Sequence, residues 1–258
     1  MDTATRLKYL EAMGITVWES RRLLSASSCT SENLDACHLE PETINPTAES
    51  ELAKLVSWPA SPPTVLANHQ HNREDEWIKL QHEVAACRKC GLCESRTQTV
   101  FGVGNRHPGW MLIGEAPGQD EDLQGEPFVG RAGQLLNEML RAIGLRREEV
   151  YIANMLKCRP PQNRDPEAGE IAACRDYLQR QIQLLRPKLI MTVGRVAAQN
   201  LLNTQQSLAK LRGARYQFAD TPVVVVHHPS YLLRSPLEKA KAWEDLQYAW
   251  TVYNTLEK

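Results

Sequence analysis

The sequence predicts an α/β fold built on a parallel sheet that helices cover on both faces. Four short, strongly apolar stretches lie between residues 110 and 227, and segments with helical spacing of apolar residues lie between them. Alternation of buried strands with helices is typical of parallel sheets, whose crossover connections are right-handed. The 258 residues are enough for one such core with additional segments.

The strands are predicted at 110–114, 150–156, 188–193 and 222–227. The helices are predicted at 76–86, 132–143, 166–185, 195–202 and 237–256. The first helix illustrates the pattern, because Trp77, Leu80 and Val84 follow helical spacing and share one face.

The first 75 residues differ from the rest in composition and charge. They contain 6 Lys and Arg against 11 Asp and Glu, whereas residues 76–258 contain 24 against 20. We predict a short helix and strand at 1–23, a disordered linker at 24–75 and one folded domain at 76–258. The mildly basic domain fits a nucleic-acid partner, but weakly. We expect residues 1–23 to dock on the domain, with recruitment of a partner as the alternative.

The sequence contains no apolar run near twenty residues and no signal-peptide pattern at its N-terminus. We therefore expect a cytoplasmic protein with no membrane partner, and we expect it to be a monomer.

The segment 110–133 organises the chain, because a long loop follows its apolar strand. In an open parallel sheet, the loops at the carboxyl ends of the strands bind ligands. This loop has no lysine and five acids, which argues against a nucleotide triphosphate without metal; the acids are Glu115, Asp120, Glu121, Asp122 and Glu126. It suits a small polar ligand that donates N–H groups and stacks on Phe128. A Phe128 that caps the core, with solvated acids around it, fits the composition equally well.

Seven cysteines are many for a protein of a reducing compartment. Cys87, Cys90 and Cys93 form the run ACRKCGLC, and Cys158 and Cys174 flank a proline-rich loop. Such clusters favour a metal site over disulfides. A CxxC pair with two distant cysteines suits zinc or an iron–sulfur cluster, and the spacing does not separate them. Unrelated thiols are the simpler alternative.

Polar residues at the ends of two predicted strands are further candidates. Asn154 lies in an apolar strand, where a buried amide is either fully bonded within the protein or reads a ligand. His228 follows the last strand and could donate a hydrogen bond to developing negative charge. Leu232 and Leu233, followed by Arg234, are either core residues or a wedge that enters a base stack beside a phosphate contact.

Four motifs together resemble the family 4 uracil-DNA glycosylases, the iron–sulfur branch of that superfamily. The motifs are GEAPGQDEDLQGEPFVGRAGQLL, NMLKCRPPQNRDP, the cysteine spacing and HPSYLLR, in order over about residues 87–234. The resemblance implies a three-layer α/β/α sandwich around a short, mostly parallel four-stranded sheet. It also implies a 4Fe–4S cluster held by Cys87, Cys90, Cys158 and Cys174, without Cys93.

The resemblance further implies a monofunctional glycosylase that flips uracil out of DNA and leaves an abasic site. The implied uracil-binding residues are Glu115, Ala116, Phe128, Asn154 and His228. Phe128 would stack on the base, Asn154 would read its polar edge, and His228 would stabilise the leaving anion. Leu232 and Leu233 would form the wedge, and Arg234 would contact the DNA backbone.

The motifs leave the residue that activates water unassigned. Family 1 enzymes carry an Asp where this sequence has Ala116, and family 4 members share the lack. Glu121 is our candidate base beside the catalytic His228, and backbone-positioned water is the alternative. Two other functions stay open. One is a metal-dependent hydrolase that uses Asp120, Glu121, Asp122 and His228, and the other is a non-catalytic module that binds damaged DNA.

Overall fold

The computed structural model describes residues 64–256, so the predictions for residues 1–63 lie outside the described part of the chain. The helices are α1 (Thr64–Ala85), α2 (Leu92–Ser95), α3 (Gln119–Gln124), α4 (Arg131–Ala142), α5 (Ala168–Leu185), α6 (Arg195–Leu201), α7 (Leu208–Leu211), α8 (Pro229–Arg234) and α9 (Lys239–Leu256). Short 3-10 turns occur at Arg147–Glu149, Pro161–Asn163 and Pro236–Glu238. Helix α1 begins at Thr64, earlier than periodicity predicted and within the segment assigned to the linker.

The strands are β1 (Val103–Gly104), β2 (Trp110–Gly114), β3 (Tyr151–Asn154), β4 (Leu189–Val193), β5 (Arg215–Phe218) and β6 (Thr221–Val226). They form one sheet in the order β1-β3-β2-β4-β6-β5. The four predicted strands are the central ones, and all the pairings among these four are parallel. The predicted α/β class is therefore confirmed.

The predicted number of four strands is wrong, because an antiparallel strand extends each edge of the sheet. Strand β1 has only two residues and ends at a glycine, so its sequence carries no strand signal. Strand β5 alternates exposed and half-buried residues, as expected at an edge. Its alternation of Tyr216 and Phe218 with polar residues was a signal that could have been used.

Helices cover both faces of the sheet, because neighbouring strand residues point to opposite sides. Leu112 packs in the same cluster as Leu136 of α4 and Leu246 of α9. The next residue, Ile113, packs in the cluster that contains Leu178 of α5. The central strands are buried along their length, which explains their continuous apolar sequences.

The parallel strands bring distant segments of the chain to one edge of the sheet. Strand β2 ends just before Glu115, β3 ends at Asn154, and β6 ends two residues before His228. Between residues 64 and 256, no helix combines the length and apolar character needed to cross a bilayer.

Candidate active site

A cavity of about 410 Å³ opens at the carboxyl ends of β2, β3 and β6. This is the edge where ligands bind in parallel α/β sheets. Five residues predicted from the sequence to bind a base line this cavity: Glu115, Ala116, Phe128, Asn154 and His228. The fold therefore brings together side chains that are more than a hundred residues apart in sequence.

Asn154 supplies an unpaired acceptor at this cavity. Its side chain is buried, and its Oδ1 atom has no hydrogen-bond partner within the described residues. A buried polar atom without a partner is costly, so such an atom in a pocket marks a place for a ligand's donor. Gly114 keeps this place open, since a Cβ there would lie 2.4 Å from Oδ1 of Asn154 and 2.7 Å from the ring of Phe128.

Phe128 is held in a conformation that costs backbone energy. Its φ is +54°, which is unusual for a bulky residue, and its side chain is largely buried. Gly133 allows α4 to approach, because a Cβ there would lie 1.8 Å from the carbonyl oxygen of Phe128. Arg147 donates to the same carbonyl at 3.2 Å and also to the carbonyl of Pro127. These contacts fix the ring 5.7 Å from the ring of His228, measured between centroids.

His228 is held as a neutral imidazole with a defined tautomer. Burial, together with the smaller effect of the positive charge of Arg234, lowers its pKa to about 4. Its Nδ1 accepts a hydrogen bond of 3.2 Å from the backbone N–H of Ser230, at the start of α8. Because Nδ1 is the acceptor, the proton of the neutral ring lies on Nε2. The residue can therefore donate a hydrogen bond without carrying a charge.

Glu115 is the carboxyl group in the cavity whose proton affinity is changed most clearly. Burial raises its pKa to about 7; the negative charge of Asp165 adds to this increase, and the positive charge of Arg195 opposes it. A carboxyl group with a pKa near 7 can accept a proton at neutral pH, as a general base must. Such tuning is concentrated at functional sites.

Glu121, predicted as the base, has a different role in its observed contacts. Its carboxylate accepts hydrogen bonds from the backbone N–H groups of Gly118, Val129 and Gly130, at 3.1, 3.0 and 3.2 Å. It therefore ties the start of α3 to the loop that carries Phe128. The neighbouring Asp122 is buried and accepts from the backbone N–H of Thr97 through both oxygens. Both acids hold the loop together.

The segment after His228 is helix α8, which is not among the helices predicted from periodicity. Leu232 is a core residue, because it is only 1% exposed and packs in the cluster with Leu136 and Leu246. It is not available as a wedge, which corrects that prediction. Leu233 is 38% exposed, and Leu237 in the next 3-10 turn is 92% exposed.

Five cysteines line a second pocket, which we call the cysteine pocket: Cys87, Cys90, Cys93, Cys158 and Cys174. All five are free thiols. Burial raises the pKa of the Cys158 thiol to about 11, against the opposing effect of Arg96, and burial also raises the pKa of Cys174. Thiols with such pKa values become thiolates when a metal replaces their protons.

The loop between Cys158 and Cys174 contributes residues that sequence reasoning did not single out. Asn163, Arg164 and Asp165 line the active-site cavity, and Asn163 has a φ of +55°. The signal was present, because these residues belong to the NMLKCRPPQNRDP motif. This loop connects the two pockets directly.

The cavity thus brings the aromatic ring of Phe128, the amide of Asn154 and the neutral imidazole of His228 around one space. Comparison with known proteins gives the family. The family model described as "Uracil DNA glycosylase superfamily" matches residues 101–247. The chain belongs to this superfamily.

Relatives from several organisms carry the name type-4 uracil-DNA glycosylase. The protein of Archaeoglobus fulgidus is 48% identical over 61% of this chain and 83% of its own length. That of Sulfurisphaera tokodaii is 43% identical over 63% of this chain and 78% of its own length. That of Saccharolobus solfataricus is 43% identical over 65% of this chain and 82% of its own length. These similarities confirm the resemblance to family 4.

Proposed function

We propose that this chain flips uracil out of DNA and hydrolyses its N-glycosidic bond, leaving an abasic site. The observation that carries the proposal is the unpaired Oδ1 of Asn154, a residue that lines the cavity. Uracil presents an N–H donor beside a carbonyl, and a fixed amide matches both. Chemistry on a base requires its removal from the stack, at a cost of a few kcal/mol.

The cleavage step separates charge, and His228 acts where negative charge develops. As the glycosidic bond breaks, the sugar becomes oxocarbenium-like and the uracil becomes an anion. The Nε2–H of His228 donates to the carbonyl oxygen of the departing base, and a preorganised donor of this kind is usually a large contribution to the rate. No lysine lines the cavity among the described residues, so the reaction is expected to be monofunctional.

Glu115 is our proposed base, in place of Glu121. Its pKa of about 7 means that the basic form predominates above neutral pH. The carboxylate stabilises the positive sugar and accepts a proton from the attacking water. We therefore expect kcat/KM to rise about tenfold per pH unit below 7 and to level above it, since kcat/KM reports the free enzyme.

A pH profile of uracil release by the wild-type protein and by Glu115→Gln checks this role. The glutamine variant should be about 100- to 10,000-fold slower and should lose the rise near pH 7. Glu121→Gln is the matched comparison, and it should keep the rise whatever its rate. A rise that persists in Glu115→Gln would assign the titration to another group.

We further propose a 4Fe–4S cluster on Cys87, Cys90, Cys158 and Cys174. Within residues 64–256, no three His, Cys, Asp or Glu side chains converge closely enough to hold a single ion. In a cluster each thiolate binds its own iron, so the sulfurs surround a core and do not meet at one point. The lining of the cysteine pocket fits this arrangement better than a zinc site. When bound, the cluster would crosslink the segments that hold it.

The cluster would support the active site through the loop that it anchors. Cys158 and Cys174 bracket residues 159–173, and this loop carries Asn163 and Arg164 to the cavity. Leu233 and Leu237 are our proposed wedge residues because they are exposed and flank, in sequence, Arg234, which lines the cavity. Arg234 is the proposed backbone contact.

Uracil release from an oligonucleotide with a single uracil, in EDTA, tests the proposed reaction. We expect uracil to be released in EDTA, because the mechanism uses no exchangeable divalent ion. Alkali should then cleave the product at the abasic site. Loss of release in EDTA that added divalent metal restores would favour a metal-dependent hydrolase. Binding of uracil-containing DNA without release would favour a non-catalytic module. The contacts of Glu121 and Asp122 already count against the hydrolase, because both carboxylates are occupied by backbone N–H groups.

A further inference from the structure

The basic residues of the cysteine pocket have no role in the reaction described above. Lys89, Arg96 and Lys157 line this pocket together with the five cysteines, Ala173 and Tyr177. No Asp or Glu is among these lining residues. A pocket with three basic residues and no carboxylate is suited to contents that carry negative charge.

Lys157 is the most deeply placed of the three. Its side chain is 1% exposed, and its Nζ donates to the carbonyl oxygens of Phe101 and Asn154, at 3.3 and 2.9 Å, and to Oε1 of Gln181 at 2.7 Å. All three acceptors are neutral. Burial lowers the pKa of Lys157 to about 7, and a negative charge nearby opposes this effect. The groups beside Lys157 that can carry such a charge are the thiols of Cys174 and Cys158.

Arg96 contacts one of these thiols, that of Cys158, directly. Its Nη1 donates to Sγ of Cys158 at 3.0 Å, and its Nη2 donates to the carbonyl oxygen of Ala85 at the end of α1, at 3.2 Å. A guanidinium stays charged at all relevant pH values. Its hydrogen bond to sulfur strengthens when that sulfur is a thiolate.

We propose that Arg96 and Lys157 are the counter-charges of the bound cluster, and that they raise its reduction potential and slow its loss. This inference rests on the proposed 4Fe–4S cluster. A cluster with four thiolates carries a net charge of about minus two in its common state, which the two cations balance. Adding an electron makes the cluster more negative, so nearby cations favour the reduced form. The reduction potential serves here only as a measure of the charge around the cluster, because the glycosylase reaction contains no electron transfer.

The test measures the one-electron reduction potential of the full-length, cluster-loaded protein by voltammetry. Arg96→Gln removes the charge and keeps a donor group at the position. We expect the equilibrium constant for reduction to fall at least about tenfold, a decrease of about 59 mV for one electron. Arg88→Gln is the matched control, because Arg88 lies between Cys87 and Cys90, is exposed and gives the same change in net charge. Because solvent screens an exposed charge, the reduction potential of Arg88→Gln should stay near that of the wild type.

Arg96→Lys keeps the positive charge but changes the shape of the side chain. Its equilibrium constant for reduction should stay within a few-fold of the wild-type value. A shift in Arg96→Gln no larger than in Arg88→Gln would overturn the proposal while leaving uracil excision intact. If Arg96→Gln holds no cluster, the iron content of Arg96→Lys tests the proposal instead. An iron content equal to that of the wild type would support a role for the positive charge at this position, and loss of iron would contradict that role. A wild-type protein without iron would overturn the cluster and this inference together. Uracil release, measured in parallel, would then show whether the proposed reaction stands alone.

Discussion

Replacing His228 by alanine is expected to slow uracil release by about 100- to 1000-fold, the usual cost of one preorganised donor. The loss should appear in single-turnover measurements with saturating enzyme, because the hydrogen bond strengthens only as the uracil anion forms. It should also be independent of pH between about 5 and 9, since the pKa of His228 is lowered to about 4 and the ring stays neutral throughout. A loss that disappears at low pH would contradict the neutral-donor role.

His228 also caps helix α8 through its Nδ1, so an alanine variant alone does not isolate the reaction. His228→Asn gives the matched comparison, because asparagine is a good N-cap acceptor but is shorter than histidine. If His228 stabilises the leaving base, both variants lose activity to a similar extent. If the loss comes from a displaced α8, asparagine should restore most of the rate. His82→Ala, on the exposed surface of α1, controls for the loss of an imidazole elsewhere.

The central part of the fold could be predicted because its signals are local. A strand buried on both faces needs a continuous apolar sequence, and the stretches at Trp110–Gly114 and Leu189–Val193 have such sequences. The residues that line the cavity were also predictable, since ligand groups gather where parallel strands end and Asn154 was anomalous in an apolar strand. The sequence motifs added the chemistry that composition left open.

The remaining features depend on contacts that no local pattern records. Leu232 and Leu233 are adjacent leucines that the sequence does not distinguish. The packing of α8 against α4 and the sheet buries Leu232 and leaves Leu233 exposed. Glu115 and Glu121 are both acids of the segment 110–133. Three backbone N–H groups engage Glu121, whereas burial raises the pKa of Glu115. The roles of neighbouring acids therefore follow from their surroundings, which the fold supplies.

Asn154→Leu is expected to reduce uracil release by at least about 100-fold without destabilising the free protein. Leucine has a similar shape but cannot bond the N–H and carbonyl of uracil, and the unpaired groups cost about 1–3 kcal/mol each. In the free protein Oδ1 of Asn154 is buried without a partner, so its removal should leave the free energy of unfolding unchanged or raise it by up to about 1 kcal/mol. Single-turnover rates and denaturant unfolding measure the two effects.

Opposite signs for activity and stability distinguish a ligand-reading residue from a structural one. A structural Asn154 would lose stability and activity together when it is replaced. Asn154→Asp adds a test of polarity, because it replaces the amide donor with an oxygen that repels the uracil carbonyl and accepts from the amino group of cytosine. The ratio of uracil to cytosine release should therefore fall in this variant. An unchanged ratio would mean that the amide of Asn154 does not read the edge of the base.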